Sequence, residues 1–152
     1  MSYAFAGFFA QAEPSVLKDA LATWPGCQGR IITEPFQGIG VAVPEQALTY
    51  GRPAHVGERA TALAYALEEE LVAWSRGYPA TRFVFMRARC IGGPCRYWGY
   101  VCQDGAIQAR ATDSVMGHGD ALQRLVRALG VELDQESGDF APFTRGYFNP
   151  AP

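Results

Sequence analysis

Several features that identify a compartment or a nucleic-acid partner are missing from this sequence. The net charge is −2 over 152 residues, so no excess of positive charge attracts the chain to nucleic acid or to a membrane surface. The apolar run at 3–10 is short and has no basic residue before it, unlike a signal peptide. No stretch has the roughly eighteen apolar residues that a membrane span needs. We therefore expect a cytoplasmic protein with neither a nucleic-acid partner nor a membrane partner.

Cysteine and histidine are also scarce, with four and two residues respectively. Four cysteines are too few for a disulfide-stabilised scaffold of this length, and a structural zinc site needs about four ligands in closely spaced pairs. We expect no metal and no cofactor. A turn that places Cys90 opposite Cys95 would allow a disulfide, but cytosolic thiols are usually reduced, so we expect two free thiols there.

The residues that are present indicate one globular domain over 1–152. Apolar residues make up 49% of the chain and charged residues 18%, which is typical of a chain that can form one core. Lys18 is the only lysine, so twelve of the thirteen basic residues are arginine. This preference either follows genome composition or provides guanidinium groups for carboxylate or phosphate partners.

Hydrophobic spacing predicts both the elements and their order. Strands are predicted at 3–10, 30–33, 38–43, 81–90, 95–102 and 106–111. Helices are predicted from Glu13-Pro14 onward, at 58–77 and at about 120–129, with a loop at 45–57. Strands joined by tight turns are antiparallel, so we predict an α+β fold: a mostly antiparallel sheet with helices packed on one face, in the order β-α-β-β-α-β-β-β-α. The aromatic tail at 140–148 should dock on this body.

A turn centred on Gly92-Gly93 sets the pairing of two arginine-rich strands. It places Cys90 opposite Cys95 and, by alternation, sends one set of side chains to the face away from the apolar residues. This set, together with one arginine of the following strand, is our candidate partner-binding surface: Arg87, Arg89, Arg96, Trp98, Tyr100 and Arg110.

The following strand can pair in two registers. A two-residue turn at Asp104-Gly105 would place Arg110 on the apolar face. A three-residue turn with a bulge, and with Gly105 in the left-handed conformation, places Ile107 and Ala109 there instead. We favour the second register because it agrees with the hydrophobic pattern.

The arginine-rich face has two interpretations. The arginines can stack on the aromatic residues and pair with acids elsewhere in the chain, for which Glu68, Glu69 and Glu70 are candidates. Alternatively, they form a surface for a partner, since Arg, Trp and Tyr are frequent anchors of protein interfaces.

Two groups of residues could carry chemistry. The stretch TDSVMGHGD at 112–120 contains Asp113, Ser114, His118 and Asp120, but it lacks the G-x-S-x-G pattern of a nucleophile elbow. It is more typical of a polar loop and helix cap. The cysteines could act as nucleophiles only beside a base, and the sequence indicates none, so we predict no catalytic residue.

The segment FVFMRARCIGGPCRYWGYVCQDGAI, at 83–107, resembles a pattern found in small bacterial immunity proteins of polymorphic toxin systems. In that pattern a strand ends in a glycine turn, and an outward-facing strand follows and ends in a D-G or N-G turn. The resemblance implies a non-enzymatic α+β protein that binds and blocks one cognate toxin. It transfers no individual functional residue.

These observations favour a non-enzymatic protein-binding module, an immunity-type inhibitor of a cognate protein toxin. The alternatives are a small enzyme that uses a cysteine or the Ser/His loop, and a small-anion or nucleotide sensor that uses the same arginines. If the first hypothesis holds, Trp98→Ala or Arg87→Glu should abolish partner binding and leave thermal stability nearly unchanged. The sequence indicates no oligomeric state.

Overall fold

The structure, a computed structural model, describes residues 2–44, 54–91, 95–133, 140–144 and 147–148. The strands are β1 (Ser2–Ala10), β2 (Gln28–Ile32), β3 (Gly38–Ala42), β4 (Phe83–Ile91), β5 (Cys95–Gln103) and β6 (Ala106–Thr112). The helices are α1 (Pro14–Thr23), α2 (Ala54–Trp74), α3 (Ala121–Val126) and α4 (Ala141–Thr144). Short 3₁₀ turns at Ser75–Gly77 and Arg127–Leu129 extend α2 and α3.

The six strands form one sheet in the order β2-β3-β1-β4-β5-β6, and every neighbouring pair is antiparallel. The predicted α+β class, the antiparallel sheet and the order of the elements are therefore confirmed. β1 and β4 lie at the centre of the sheet, while β2 and β6 are its edges. None of the helices in the described ranges is both long and apolar enough to cross a membrane.

Helices cover both faces of the sheet, so the prediction that they lie on one face is wrong. Phe8 of β1 packs in a core with α1 and α2, whereas the adjacent Phe9 packs in a second core with α3 and the C-terminal segment. The reason lies in β1 and β4, whose segments FAGFFA and FVFM are buried at consecutive positions. A strand that is apolar on both sides must be covered on both sides. We call these sides the α1/α2 face and the α3 face.

One predicted loop differs in extent from the structure, and the C-terminal segment lies against the sheet. Of the predicted loop at 45–57, positions 45–53 lie outside the described residues and 54–57 form the first turn of α2. One glycine inside a helix costs only about 1 kcal/mol, so α2 continues through Gly57. The C-terminal segment packs on the α3 face, where Phe140 and Phe148 are buried beside Phe9.

Candidate interaction surface

The β4–β5 hairpin has the register that its turn predicts. Arg89 lies opposite Arg96, and Arg87 lies opposite Trp98. Because side chains alternate along a strand, these residues share the α1/α2 face with Tyr100. The hairpin therefore brings the predicted arginines and aromatic residues onto one face, and α2 covers part of that same face.

The β5–β6 pairing shows that the favoured three-residue turn is wrong, although a bulge follows further along the strand. The turn has two residues, Asp104 with φ 51° and Gly105 with φ 77°, and Gln103 pairs with Ala106. The register then shifts between Val101 and Cys102, which brings Ala109 opposite Val101 and Arg110 opposite Tyr100.

Arg110 therefore lies on the α1/α2 face and Ala109 on the α3 face, as predicted. Ile107 pairs with Cys102, which lies in the α1/α2 core, so its predicted position on the other face is wrong. The bulge comes after Ile107 rather than before it, and Ile107 is 37% exposed at the edge of the sheet.

Two of the six predicted residues are used inside the fold. The Nε of Arg87 donates a hydrogen bond to Oε1 of Glu68 at 2.9 Å, and its guanidinium lies over the Tyr65 ring, 5.1 Å from the centroid. The hydroxyl of Tyr100 donates to the backbone oxygen of Glu68, and Tyr100 is only 3% exposed. Burial, the main cause, raises the pKa of the Tyr100 hydroxyl, which keeps it a donor. Arg87 and Tyr100 thus attach α2 to the sheet.

The other four residues are exposed or half-buried, and we call them the arginine surface: Arg89, Arg96, Trp98 and Arg110. The Arg96 guanidinium stacks on Trp98, 4.6 Å from the ring centroid, and its Nε donates to the backbone oxygen of Asp113 at 3.3 Å. Arg89 and Arg110 are exposed.

Charge on the arginine surface is not balanced within the described ranges. Among the side chains that the structure describes, the only salt bridge joins Arg87 and Glu68, so none of the described carboxylates neutralises Arg89, Arg96 or Arg110. Arg89 and Arg96 face each other directly, which is unfavourable for like charges. An anionic group placed between them would remove that repulsion and accept charge-assisted hydrogen bonds.

A disulfide joins Cys90 and Cys95 in the structure, so the expectation of two free thiols is wrong here. The register makes the two residues a directly opposed pair, with Cα atoms 4.1 Å apart. The bond lies one residue from Arg89 and Arg96 along each strand. It therefore closes the hairpin beside the pair of arginines that repel each other.

The Ser/His loop supports itself and α3. The Oγ of Ser114 accepts a hydrogen bond from the backbone N–H of His118 at 3.0 Å, and the Ser114 N–H donates to the His118 oxygen. The carboxylate of Asp113, only 4% exposed, accepts from the backbone N–H groups of Tyr97 and Ala121. The predicted polar loop and helix cap are thus observed. The capping acid stands eight residues before the helix, a spacing that sequence motifs do not identify.

The two remaining cysteines are not activated. Burial raises the pKa of Cys27 and of Cys102 to about 11 each, so both thiols are protonated at neutral pH and are poor nucleophiles. Within the residues that the structure describes, no three His, Cys, Asp or Glu side chains converge as metal ligands would.

Comparison with known proteins shows no relative: no protein-family model, no curated protein and no solved structure matches this chain.

Proposed function

We propose that the chain is a non-enzymatic protein-binding module, an immunity-type inhibitor that binds and neutralises a cognate protein toxin. The observation that carries this proposal is the arginine surface: three arginines without a carboxylate partner in the described ranges, arranged around Trp98. Its partner presents Asp or Glu side chains, because a guanidinium binds a carboxylate through two parallel hydrogen bonds.

The paired strands that carry the arginine surface hold its side chains in place for binding. Arg89, Arg96, Trp98 and Arg110 all project from paired strands, and strands hold side chains more firmly than loops do. Arg96 is already positioned by Trp98 and by Asp113, so less side-chain freedom is lost on association. The unbalanced positive charge also accelerates encounter with an acidic partner.

The groups proposed for an enzyme have other tasks in this structure. Cys90 and Cys95 are bridged, and the Ser114 hydroxyl accepts a hydrogen bond within its own loop. The disulfide also bears on the compartment, because cytosolic thiols are kept reduced. It favours an oxidising environment over the cytoplasm as the place where the protein acts.

An affinity capture with matched variants tests the proposal. The tagged protein, an Arg89→Glu/Arg96→Glu variant and a Trp98→Ala variant are each incubated with lysate of the producing cells, and retained proteins are quantified by mass spectrometry. Arg124→Glu is the control, since Arg124 is exposed on α3 at the other face of the sheet.

We expect one protein to be retained by the wild type and the control and lost from the other two variants. Expressed alone, that protein should stop growth, and co-expression of the chain should restore growth. If nothing is retained, or if retention does not depend on the arginine surface, the proposal is wrong. A rise in melting temperature with phosphate ligands, seen in the isolated wild type and lost in Arg89→Glu/Arg96→Glu, would favour the small-anion alternative.

A further inference from the structure

The segment between β6 and α3 presents two adjacent apolar side chains to solvent. Val115 is 83% exposed and Met116 is 72% exposed. Among the side chains whose exposure the structure describes, no other large hydrophobic residue is as exposed, the next being Ile31 at 56%. Single exposed apolar residues are common on protein surfaces, whereas here two lie side by side at the tip of a loop.

Hydrogen bonds fix the backbone of this tip. The Ser114 N–H donates to the His118 oxygen at 2.8 Å, and the His118 N–H donates to the Ser114 Oγ at 3.0 Å. The Gly117 N–H donates to the Ser114 oxygen at 2.9 Å. Three hydrogen bonds thus close a turn of five residues, and Val115 and Met116 lie between the points of closure.

The base of the loop is held equally firmly. The buried carboxylate of Asp113 connects it to β5 through the Tyr97 N–H and to α3 through the Ala121 N–H, each at 3.0 Å. Gly119 has φ 147°, and a Cβ there would lie 2.4 Å from the Asp113 Oδ1. The loop is therefore built to hold one conformation, which lowers the entropic cost of binding through its tip.

Folding does not account for the apolar character of this tip. Polar residues would satisfy the same turn, and at these exposures Val115 and Met116 bury little of their surface in the core. The base of the loop adjoins the arginine surface, because the backbone oxygen of Asp113, two residues before Val115, accepts the hydrogen bond from Arg96. The apolar tip and the arginine surface together have the composition of a protein interface, in which an apolar anchor lies beside Arg and Trp.

We propose that Val115 and Met116 are the apolar anchor of the interface, and that they enter an apolar pocket with acidic side chains at its rim on the partner protein. This inference rests on the proposed function and identifies the chemistry of the partner. The apolar pair provides burial, while the arginine surface provides charge complementarity.

The test uses the captured protein, purified, as the probe. Its affinity is measured for the wild type, for Val115→Ser/Met116→Ser and for Ile31→Ser, a control at the opposite edge of the sheet. Since the double serine variant loses the burial of both anchor side chains, it should bind at least about 100-fold more weakly. Ile31→Ser should bind like the wild type, and all three should have similar melting temperatures.

A second measurement does not depend on affinity. A photoreactive benzoylphenylalanine at position 116 should cross-link to the captured protein, at residues that line an apolar depression flanked by Asp or Glu. The same group at position 31 should not cross-link.

The outcomes separate this inference from the proposed function. If Arg89→Glu/Arg96→Glu abolishes binding while the double serine variant binds within about threefold of the wild type, the anchor is wrong and the proposed function stands. If the wild type captures nothing, the proposed function fails and the anchor fails with it. Co-sedimentation with anionic phospholipid vesicles that is lost in the serine variant would show a membrane as the occupant, and would overturn a protein pocket.

Discussion

Replacement of Arg87 by glutamate tests whether Arg87 stabilises the fold, in contrast to the arginines of the arginine surface. The Arg87–Glu68 pair is partly buried, with side chains 18% and 33% exposed. Exposed pairs contribute at most about 1 kcal/mol, while breaking a buried pair costs about 3–5 kcal/mol. Arg87→Glu removes the pair, places a second carboxylate beside Glu68 and loses the stacking on Tyr65. We therefore expect a loss of about 2–3 kcal/mol in the free energy of unfolding, or roughly 5–10 °C in melting temperature.

Arg89→Glu is the matched control for that variant. Arg89 lies two residues further along β4 on the same face, but it is exposed and has no carboxylate partner in the described ranges. Its substitution should change the free energy of unfolding by less than about 0.5 kcal/mol. Urea denaturation followed by circular dichroism measures both variants, and Glu68→Arg combined with Arg87→Glu should recover part of the loss. Equal stabilities for the two single variants would refute the role of Arg87 in attaching α2. The structure thus replaces the expectation that Arg87→Glu leaves stability unchanged.

Three further predictions concern the disulfide, a buried thiol and the C-terminal segment. Native protein treated with an alkylating agent should show no label at Cys90 or Cys95 until it is reduced, and labelling without reduction would contradict the disulfide. Cys90→Ser/Cys95→Ser should lower the free energy of unfolding by about 2 kcal/mol, as expected for a bond between residues five apart. Because burial raises the Cys102 pKa from 9.0 to about 11, this thiol ionises first in the unfolded chain. Its contribution to stability should be full below pH 9 and be lost as pH rises to 11, by up to about 3 kcal/mol. Cys102→Ala should therefore flatten the fall in stability over this pH range, and an unchanged pH slope would exclude this thiol as a source. Phe148→Ala should destabilise the protein by about 3–4 kcal/mol, since Phe148 is buried against the Phe9 ring, and a change below about 1 kcal/mol in urea denaturation would show that the segment is not docked.

Part of the arginine surface could be predicted because hairpin pairing is local. Turn residues and period-two alternation are both visible in the chain, and together they place Arg89 opposite Arg96. The position of the β5–β6 bulge could not be predicted in the same way. Two different pairings bring Arg110 to the same face: a two-residue turn followed by a bulge, and a three-residue turn. Only the two-residue turn with its later bulge leaves Ile107 opposite Cys102.

The glutamate that pairs with Arg87 is a second feature that could not be predicted from the sequence. Glu68, Glu69 and Glu70 were equal candidates, since consecutive residues of a helix point about 100° apart. Which of them meets Arg87 depends on how α2 rotates as it packs on the sheet, and that rotation is set by Leu67 and Leu71 in the α1/α2 core. Similarly, Asp113 reaches the start of α3 only because the loop folds back on itself.

Local pattern alone determined the elements, the antiparallel class and the set of side chains that share a face with Trp98, because these depend on neighbouring residues along the chain. Tertiary structure decided which of those side chains are accessible. α2 packs on the face that carries the arginines, so Arg87 and Tyr100 are used by the fold, while Arg89, Arg96 and Arg110 remain at its margin. The physical reason is that burial depends on contacts between segments distant in sequence, and the two apolar faces of β1 and β4 required a cover on each side.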